Sequence, residues 1–408
     1  MTVRDTAAVV AAAALALGGA ACRRGDREIR DGFTAAFDAP PVVAVAACPD
    51  EHAKLARLQP LLELAIRSYQ DRVRPRPLAP GEDVAATVKK RFDAPLPPDL
   101  SADLLATEIR GLAVDYRCFL AQDDDRVLLM MAIADLFLRK GEALLAAGQL
   151  DAGYQYVVQG LSVYAQPRTY AFIHYLGAGY ILGRIQSLLD RHPPPPAILD
   201  RLEETAAASL LSRAQLCAGI KVEFLAQAYV PFQDRLAPLR GRVAERWGER
   251  TVNAFAETAD RPTRGDVALW RTINDLYAPL IAGCLDAREP PLAPLETAAR
   301  AKLAAVPDNV TLKLMVPTTL NHLSEFGELQ DQFLVFMVDV GRRRLRLAGL
   351  PLDAATVKAR LLVPAMPVPL TSAWDGSTAT IADDPATPGG IVVTRGRLRQ
   401  ALPPLPRR

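Results

Sequence analysis

The 408-residue sequence contains little of what most catalytic and cofactor sites are built from. It has only four histidines and no GxSxG, HExxH or Walker loop, so no motif argues for an enzyme. Aromatic residues make up 6% of the chain while alanine and leucine abound, a balance that favours packed helices over a sandwich of strands. The sequence therefore predicts a mostly α protein, and no cofactor is expected.

Excess charge and metal-binding cysteine patterns are also missing. Lysine and arginine total 48 against 46 acidic residues, so bulk charge gives no reason to expect a nucleic-acid partner. The cysteines show no CxxC or Cys/His spacing, which argues against a zinc site. Apart from Cys22, the chain has four cysteines, at Cys48, Cys118, Cys217 and Cys284. They can form two disulfides in an oxidising compartment or remain buried thiols, and both readings stay open.

The first 21 residues have the pattern of a signal peptide. Thr6 to Ala21 are uncharged and mostly alanine and leucine, and this run is shorter than the roughly 20 apolar residues of a spanning helix. Such a run is typical of the apolar part of a signal peptide, so residues 1–21 are predicted to be removed. The alternative is a buried amino-terminal helix that is kept.

The residues that follow resemble a bacterial lipoprotein signal. Ala20 and Ala21 directly precede Cys22, as in a lipobox, although Gly19 stands where an aliphatic residue is usual. The resemblance implies acylation of Cys22 and anchoring to the membrane of the bacterial cell envelope. Arg23, the next residue, points to the outer membrane, with the protein facing the periplasm. A plain secretory signal with an incidental cysteine is the alternative.

Three segments follow the signal region in the predicted organisation. Residues 22–100 carry an amino-terminal helix and a proline-rich linker, and residues 101–348 carry apolar residues at helical spacing. Residues 349–408 contain short apolar runs separated by proline, Asp-Gly and Gly-Gly, which predict two or three short strands and a basic tail. The expected fold is one of irregular stacked helical hairpins with a small C-terminal β-containing segment.

One hairpin, residues 135–167, resembles a tetratricopeptide repeat unit. Phe137 takes the place of the motif's large aromatic, and glycines take its glycine and small-residue positions. Those glycines are Gly141, Gly148, Gly153 and Gly160. Gly148 is expected to end the first helix, and the small residues of the second helix should let the two helices approach closely. The pattern does not recur 34 residues later, so a regular array is not expected.

A glycine cluster further along has the spacing GxGxxxG. Gly177, Gly179 and Gly183 lie in a helical run with no strand before it, so a dinucleotide-binding loop is not indicated. The spacing indicates a close helix crossing.

The C-terminal third suggests a second resemblance. A long helix, a proline-rich segment, the turn Trp374–Asp375–Gly376 and a closing strand resemble uncharacterised bacterial envelope lipoproteins with a tetratricopeptide-like helical core and a pseudopilin-like end. The resemblance covers about residues 125 to 395. It implies an architecture, and no chemistry follows from it.

The residues considered for catalysis lie in the long helix of this region. His322 and Glu325 share a helix face, and Glu328 and Asp331 continue it. This face could hold a base with an orienting carboxylate. No metal site is expected, because the Glu-x-x-His elements of helix-bundle di-metal sites are missing. The alternative is a solvated face with a local ion pair.

The same helix ends in a basic run. Arg342, Arg343, Arg344 and Arg346 stand close together, which would suit an anionic lipid or envelope polymer. No aromatic residues are interleaved with them, so nucleic-acid stacking is not supported. The alternative is a solvated helix end, where cations interact favourably with the helix dipole.

Taken together, these patterns favour a lipid-anchored envelope protein that acts as a scaffold for other proteins, because stacked hairpins create grooves for peptides or helices. The expected partners are envelope proteins and the membrane, reached through Cys22. Two alternatives stand beside this interpretation. One is a periplasmic hydrolase or lyase acting on envelope polymers with helix-borne carboxylates, and the other is an accessory lipoprotein of a secretion apparatus.

Overall fold

The computed structural model describes residues 25–38, 124–162, 172–210, 225, 229, 232–247, 267–284, 291–304, 310–361, 370–372 and 374–405. Helices make up 70% of the described part of the chain, and a three-stranded antiparallel sheet lies at its C-terminal end. The predicted mostly α class with a small C-terminal β segment is therefore confirmed. The tetratricopeptide-like repeat type stays a prediction.

The elements are numbered in chain order. The helices are α1 (25–38), α2 (Asp124–Ala146), α3 (Leu150–Ser162), α4 (Phe172–Arg191), α5 (Pro196–Ser209), a 3₁₀ turn (Ala237–Leu239), α6 (Arg240–Trp247), α7 (Val267–Cys284), α8 (Leu292–Ala304), α9 (Val310–Leu347) and α10 (Ala354–Leu361). The strands are β1 (Thr380–Asp383), β2 (Ile391–Arg395) and β3 (Leu398–Leu402).

The chain divides into two compact units. The first comprises Met1–Val45, Leu216–Ala287 and Leu295–Leu320. The second comprises Ala46–Gln215, Arg288–Pro294 and Asn321–Arg408. The C-terminal strands and the helical hairpin therefore belong to the same unit.

In the first unit, aromatic side chains hold α1 in place. Phe33 is fully buried, with its ring centroid 6.0 Å from that of Tyr229, and Trp270 meets Phe232 edge to face. A Cβ added at Gly32 would lie 2.8 Å from the Trp270 ring, so only glycine lets α1 approach α7 this closely. Burial of these large rings is the main favourable term for docking α1.

In the second unit, α2 and α3 form the predicted hairpin. A Cβ on Gly141 would lie 2.8 Å from the carbonyl oxygen of Gly153, and one on Gly153 would lie 3.0 Å from the carbonyl oxygen of Gly141. The two helices therefore touch backbone to backbone at these glycines. Phe137 is buried beside this contact, with its ring 6.1 Å from that of Tyr156. The expected close approach is thus present, at the pair Gly141 and Gly153.

The hairpin turn is made by Gly148. Its φ of +78° places it in the left-handed region, where glycine pays no Cβ penalty. Gly148 donates its N–H to the carbonyl of Leu145, and Gln149 donates to that of Leu144. These two bonds form a Schellman cap, which satisfies the last carbonyls of α2. Gly148 therefore ends α2 as the sequence predicted.

The sheet has the strand order β1-β2-β3, and both pairings are antiparallel. A two-residue turn at Gly396, whose φ is +59°, joins β2 to β3. One face of the sheet is buried against the helices and contributes four residues to the core: Ile381, Ile391, Val393 and Leu402. The C-terminal segment thus completes a core that it shares with the helical hairpin.

The turn Trp374–Asp375–Gly376 lies against α9. The ring of Trp374 lies so near Gly327 that an added Cβ would be 2.7 Å from it. Asp375 accepts hydrogen bonds from the N–H and hydroxyl of Ser377. Although partial burial opposes ionisation, these bonds hold the pKa of Asp375 below its usual value. The turn is therefore a built element that fixes the start of the β segment on the long helix.

Candidate functional site

A cavity of about 520 Å³ lies in the second unit between α4, α9 and β3. From α4 it is lined by Gly179, Leu182, Gly183, Gln186 and Asp190, and from α9 by Gln332, Val335, Asp339 and Arg343. Its third wall consists of Leu398, Gln400, Ala401, Leu402, Pro403, Pro404 and Leu405. A volume of this size is in the range of small-molecule and peptide sites.

Glycines open the α4 side of this cavity. A Cβ on Gly183 would meet no atom within 4 Å, so the empty space begins at the helix backbone. A Cβ on Gly179, by contrast, would collide with the side-chain amide of Gln332. The terminal amide of Gln332 therefore lies against the backbone of α4 at Gly179, whereas Gly183 makes room for the cavity, and the close helix crossing expected from the glycine spacing stays a prediction.

The sheet opens the opposite wall. Val393 in β2 is fully buried, and its register partner Gln400 in β3 is exposed although both lie on the same face of the sheet. The face of the sheet that packs on the core at Val393 of β2 is therefore left open at Gln400, in the middle of β3. The cavity occupies this gap, so it lies under the edge of the sheet.

β3 is an edge strand whose outer side faces away from β2. Because the residues that flank a two-residue turn exchange hydrogen bonds, the backbone groups of Leu398, Gln400 and Leu402 point toward β2. Those of Arg399 and Ala401 consequently point outward. The side-chain amide of Gln400 donates to the carbonyl of Ala401 at 3.3 Å, as expected for a carbonyl that β2 does not use.

The charged groups of the cavity neutralise one another. Arg343 donates through Nε to Asp339 at 3.0 Å and through Nη2 to Asp190 at 2.7 Å. Burial opposes the charge on Arg343, but the two carboxylates outweigh it and raise the pKa of Arg343. This end of the cavity therefore carries a fixed carboxylate–guanidinium–carboxylate group.

A smaller cavity of about 150 Å³ adjoins this group. It shares Asp190, Arg343 and Leu405 with the larger cavity, so the two form one groove, which we call the C-terminal groove. Arg191 and Arg346 also line the smaller cavity. Arg191 pairs with Glu142, and Arg343 pairs with Asp190 and Asp339, so these guanidinium groups are already engaged by carboxylates of the same chain.

Of the predicted anion-binding arginines, Arg342 does not reach the surface. It is fully buried and donates to the carbonyl oxygens of Pro403 at 2.8 Å and Gly389 at 3.2 Å. Among the described residues, its Nε and Nη1 have no hydrogen-bond partner. Burial lowers the pKa of Arg342, against the attraction of Asp339. Its position makes it a tether for the wall of the groove and removes it from any surface patch.

The other predicted arginines are engaged by carboxylates of the same chain. Arg343 is almost buried by the pairs described above. Arg344 contacts Glu203, and its Nη1 lies 3.4 Å from Asp200 on α5. Burial raises the pKa of Glu203 although Arg344 opposes the shift. The run at the end of α9 therefore fastens α9 to its neighbours, and of these residues Arg343 and Arg346 line the groove.

The residues considered for catalysis occupy the middle of α9. Glu328 is exposed, and the side chains of His322 and Glu325 lie outside what the structure describes. Asp331, on the same helix face, accepts a hydrogen bond at 2.5 Å from the buried Arg395 of β2. Burial raises the pKa of Asp331, against the attraction of Arg395. At Asp331 this face serves to hold the sheet on α9, and a catalytic role for His322, Glu325 and Glu328 stays a prediction.

Other expectations concern regions of the chain that the structure covers only in part. Cys22, Cys48, Cys118 and Cys217 lie outside the described residues. Within the described ranges, no helix combines the length and apolar character needed to cross a membrane. In the same ranges, no three histidine, cysteine or carboxylate residues are grouped closely enough to hold a metal ion.

The residues that sequence reasoning missed are the three glutamines and β3 itself. Gln186, Gln332 and Gln400 come together from distant parts of the chain, and no spacing in the sequence relates them. The only local signal was Gly183, which has no packing role in α4. Comparison of the chain with protein-family models, curated proteins and solved structures gives no match. The function must therefore be argued from the C-terminal groove.

Proposed function

We propose that this is a lipid-anchored protein of the bacterial envelope that binds segments of other proteins in the C-terminal groove. The observation that carries the proposal is the larger cavity under the edge of the sheet. Its apolar side chains, Leu182, Val335 and Leu402, suit an aliphatic side chain of a ligand. Its three glutamines can both donate and accept hydrogen bonds, as a peptide backbone requires.

The chemistry of the lining favours binding over catalysis. Among the described residues that line the cavity, none carries a hydroxyl, thiol or imidazole group. The two carboxylates, Asp190 and Asp339, are both engaged by Arg343, which leaves neither poised as a base. A pocket of amides, aliphatic groups and internally paired charges is suited to holding a peptide without changing it.

The test is a selection of binding peptides on the folded chain. A displayed library of random peptides of about ten residues would be selected on residues 22–408, and enriched peptides would be measured by fluorescence anisotropy. Gly183→Leu should weaken binding about tenfold or more, because its side chain would fill the cavity. Gly241→Leu is the matched control, since Gly241 is also helical and equally open but belongs to the first unit.

Two results would contradict the proposal. One is failure to enrich any peptide on wild-type protein that is folded by circular dichroism. The other is equal loss of binding in Gly183→Leu and Gly241→Leu. A melting temperature measured for each variant separates loss of the pocket from loss of the fold.

The anchor is the second part of the proposal and is tested separately. Cys22 would carry the lipid, and it lies three positions before residue 25, the first described residue of α1. In a bacterial host, wild-type protein should fractionate with membranes and have the mass of an acylated chain that starts at Cys22. Cys22→Ala should release it. A soluble wild-type product that keeps Met1 would refute the anchor.

A further inference from the structure

We propose that Leu405 is a displaceable plug of the C-terminal groove, carried by a short strap, residues 403–405, and that a partner must displace it to fill the groove. The contact is autoinhibitory, because a side chain of the protein itself occupies the junction of the two cavities. This inference rests on the proposed function and concerns the regulation of the same groove.

The burial of Leu405 differs in kind from that of Leu402, the other buried leucine of this wall. The two side chains are equally hidden from solvent, with 7% and 6% of their surfaces exposed. Leu402 belongs to the hydrophobic core of the second unit, whereas in the described part of the chain Leu405 does not belong to that core. Leu405 lines both cavities instead. Its burial is therefore provided by the walls of the groove.

The strap is fixed by hydrogen bonding at its first residue. The carbonyl of Pro403 accepts a hydrogen bond at 2.8 Å from the fully buried Arg342. Pro403 and Pro404 are both exposed, and Pro404 has no N–H to donate. Among the described residues, no hydrogen bond reaches Pro404 or Leu405. Beyond Pro403, the strap is therefore kept on the groove by the burial of one apolar side chain.

Leu405 stands where the two cavities meet. The larger cavity, about 520 Å³, and the smaller one, about 150 Å³, share Leu405 and the ion pair of Asp190 with Arg343. Arg343 is also held by Asp339, so the ion pair is fixed in place. Leu405 is thus the shared residue that can move, and its departure would join the two cavities while the ion pair stays.

A partner would replace Leu405 by a side chain of the same kind. The walls around the junction are aliphatic, with Leu182 and Val335 in the larger cavity and Leu199 and Leu347 in the smaller one. Burial there is favourable whether the aliphatic group comes from the chain or from a partner. Because Leu405 is tethered, it competes at a high effective concentration. The plug therefore lowers the apparent affinity of the groove for a partner.

The first experiment measures peptide binding with and without the plug. Peptides of about ten residues would be selected on wild-type protein and, separately, on Leu405→Ala, and each would be measured against both. Peptides selected on Leu405→Ala should bind wild type about tenfold more weakly, because there they must displace the leucine. Leu402→Ala is the matched control, since it keeps Leu405 and should bind them no more tightly than wild type does. Equal or tighter binding to wild type would overturn the inference.

The second experiment distinguishes a plug from a core residue without any ligand. Leu402→Ala removes a side chain of the core and should lower the melting temperature by about 5 °C or more. Leu405→Ala should lower it by less than half as much, because the groove around Leu405 is already open. An equal loss in the two variants would show that Leu405 acts as part of the core.

The third experiment observes Leu405 in the wild-type protein. In leucine-methyl NMR spectra, the signals lost in Leu405→Ala identify Leu405. Saturation with a peptide from the selection should move these signals toward the shifts of an exposed leucine, while those of the buried Leu161 stay in place. Signals of Leu405 that keep their buried shifts in the saturated complex would refute displacement. Failure of the proposed function is a different result, in which no peptide is enriched on either protein.

Discussion

Asp135 is a buried carboxylate of the second unit that pairs with two arginines. Its carboxylate is buried and accepts hydrogen bonds from Arg139 at 2.8 Å and from Arg184 at 2.7 Å. Asp135→Asn would leave two mostly buried guanidinium groups short of negative charge. We expect the free energy of unfolding to fall by about 3 kcal/mol, the usual scale for breaking a buried ion pair. Urea unfolding followed by circular dichroism measures it.

An exposed pair provides the control for that prediction. Asp31 pairs with Arg27 one turn away, and both side chains are largely exposed. Asp31→Asn should change the free energy of unfolding by less than about 0.5 kcal/mol, because exposed pairs of this kind are weak. Equal effects of the two substitutions would show that Asp135 acts as an ordinary surface charge.

Glu142 makes part of this network sensitive to pH. Burial opposes its ionisation, but hydrogen bonds from Arg191 and Arg184 outweigh that and lower its pKa below 4.5. Since the folded pKa is the lower one, its contribution to stability is present above the unfolded pKa and is lost as pH falls through the folded value. Glu142→Gln should therefore destabilise the protein at pH 7, by less than about 1 kcal/mol because Glu142 is partly exposed.

The measurement is the difference in unfolding free energy between wild type and Glu142→Gln across pH. That difference should be constant near neutrality and should shrink below about pH 4.5. A difference that grows as the pH falls would have the wrong sign for a lowered pKa.

At the scale of elements, glycines in similar helices have opposite roles. In Gly141→Ala the new Cβ would press on the carbonyl of Gly153 and on Val157, so we expect a loss of about 2 kcal/mol in stability. In Gly183→Ala it would meet only open space, and removing a helical glycine should stabilise α4 by about 0.5 to 1 kcal/mol. Thermal unfolding of both variants tests the pair, and a shift in the same direction would contradict the packing described here.

The sequence predicted those elements that depend on local signals. Gly148 marks the end of α2 through its own conformation, and the Gly-Gly and Asp-Gly pairs mark the β segment. The burial of Arg342 could not be predicted from its neighbours in the sequence, because a run of arginines at a helix end is usually solvated. Only the return of residues 389 and 403 to α9 buries it, and that contact spans 47 and 61 positions along the chain.

The candidate site was beyond sequence reasoning for the same reason. Its walls come from three separate segments, and its volume depends on what each segment leaves unfilled. The glycine spacing predicts a helix crossing, whereas a Cβ on Gly183 would meet no other atoms within 4 Å and Gly183 lines the cavity. A cavity is a property of packing between distant segments, so composition and periodicity do not reveal it.

At the scale of the whole molecule, the shared core predicts that the C-terminal segment cannot be removed without loss of the second unit. Ile391 and Val393 are fully buried in the core that includes helical residues. Arg395 of β2 donates to Asp331 of α9, and Arg342 of α9 donates to the carbonyl of Pro403. A chain that ends at residue 369 would expose this apolar surface to water. We expect it to lose the cooperative unfolding transition of the second unit.

Point variants distinguish loss of the core from a general effect of truncation. Ile391→Ala removes buried methyl groups and should cost about 3 kcal/mol, whereas Arg399→Ala on the exposed face of β3 should cost less than about 0.5 kcal/mol. The truncated chain lacks Trp374, and its two remaining tryptophans, Trp247 and Trp270, both belong to the first unit, so their fluorescence reports the folding of that unit. If the truncated chain kept the wild-type urea midpoint and slope, the strands would form a separable domain, and the groove between β3 and the helices would lose its structural basis.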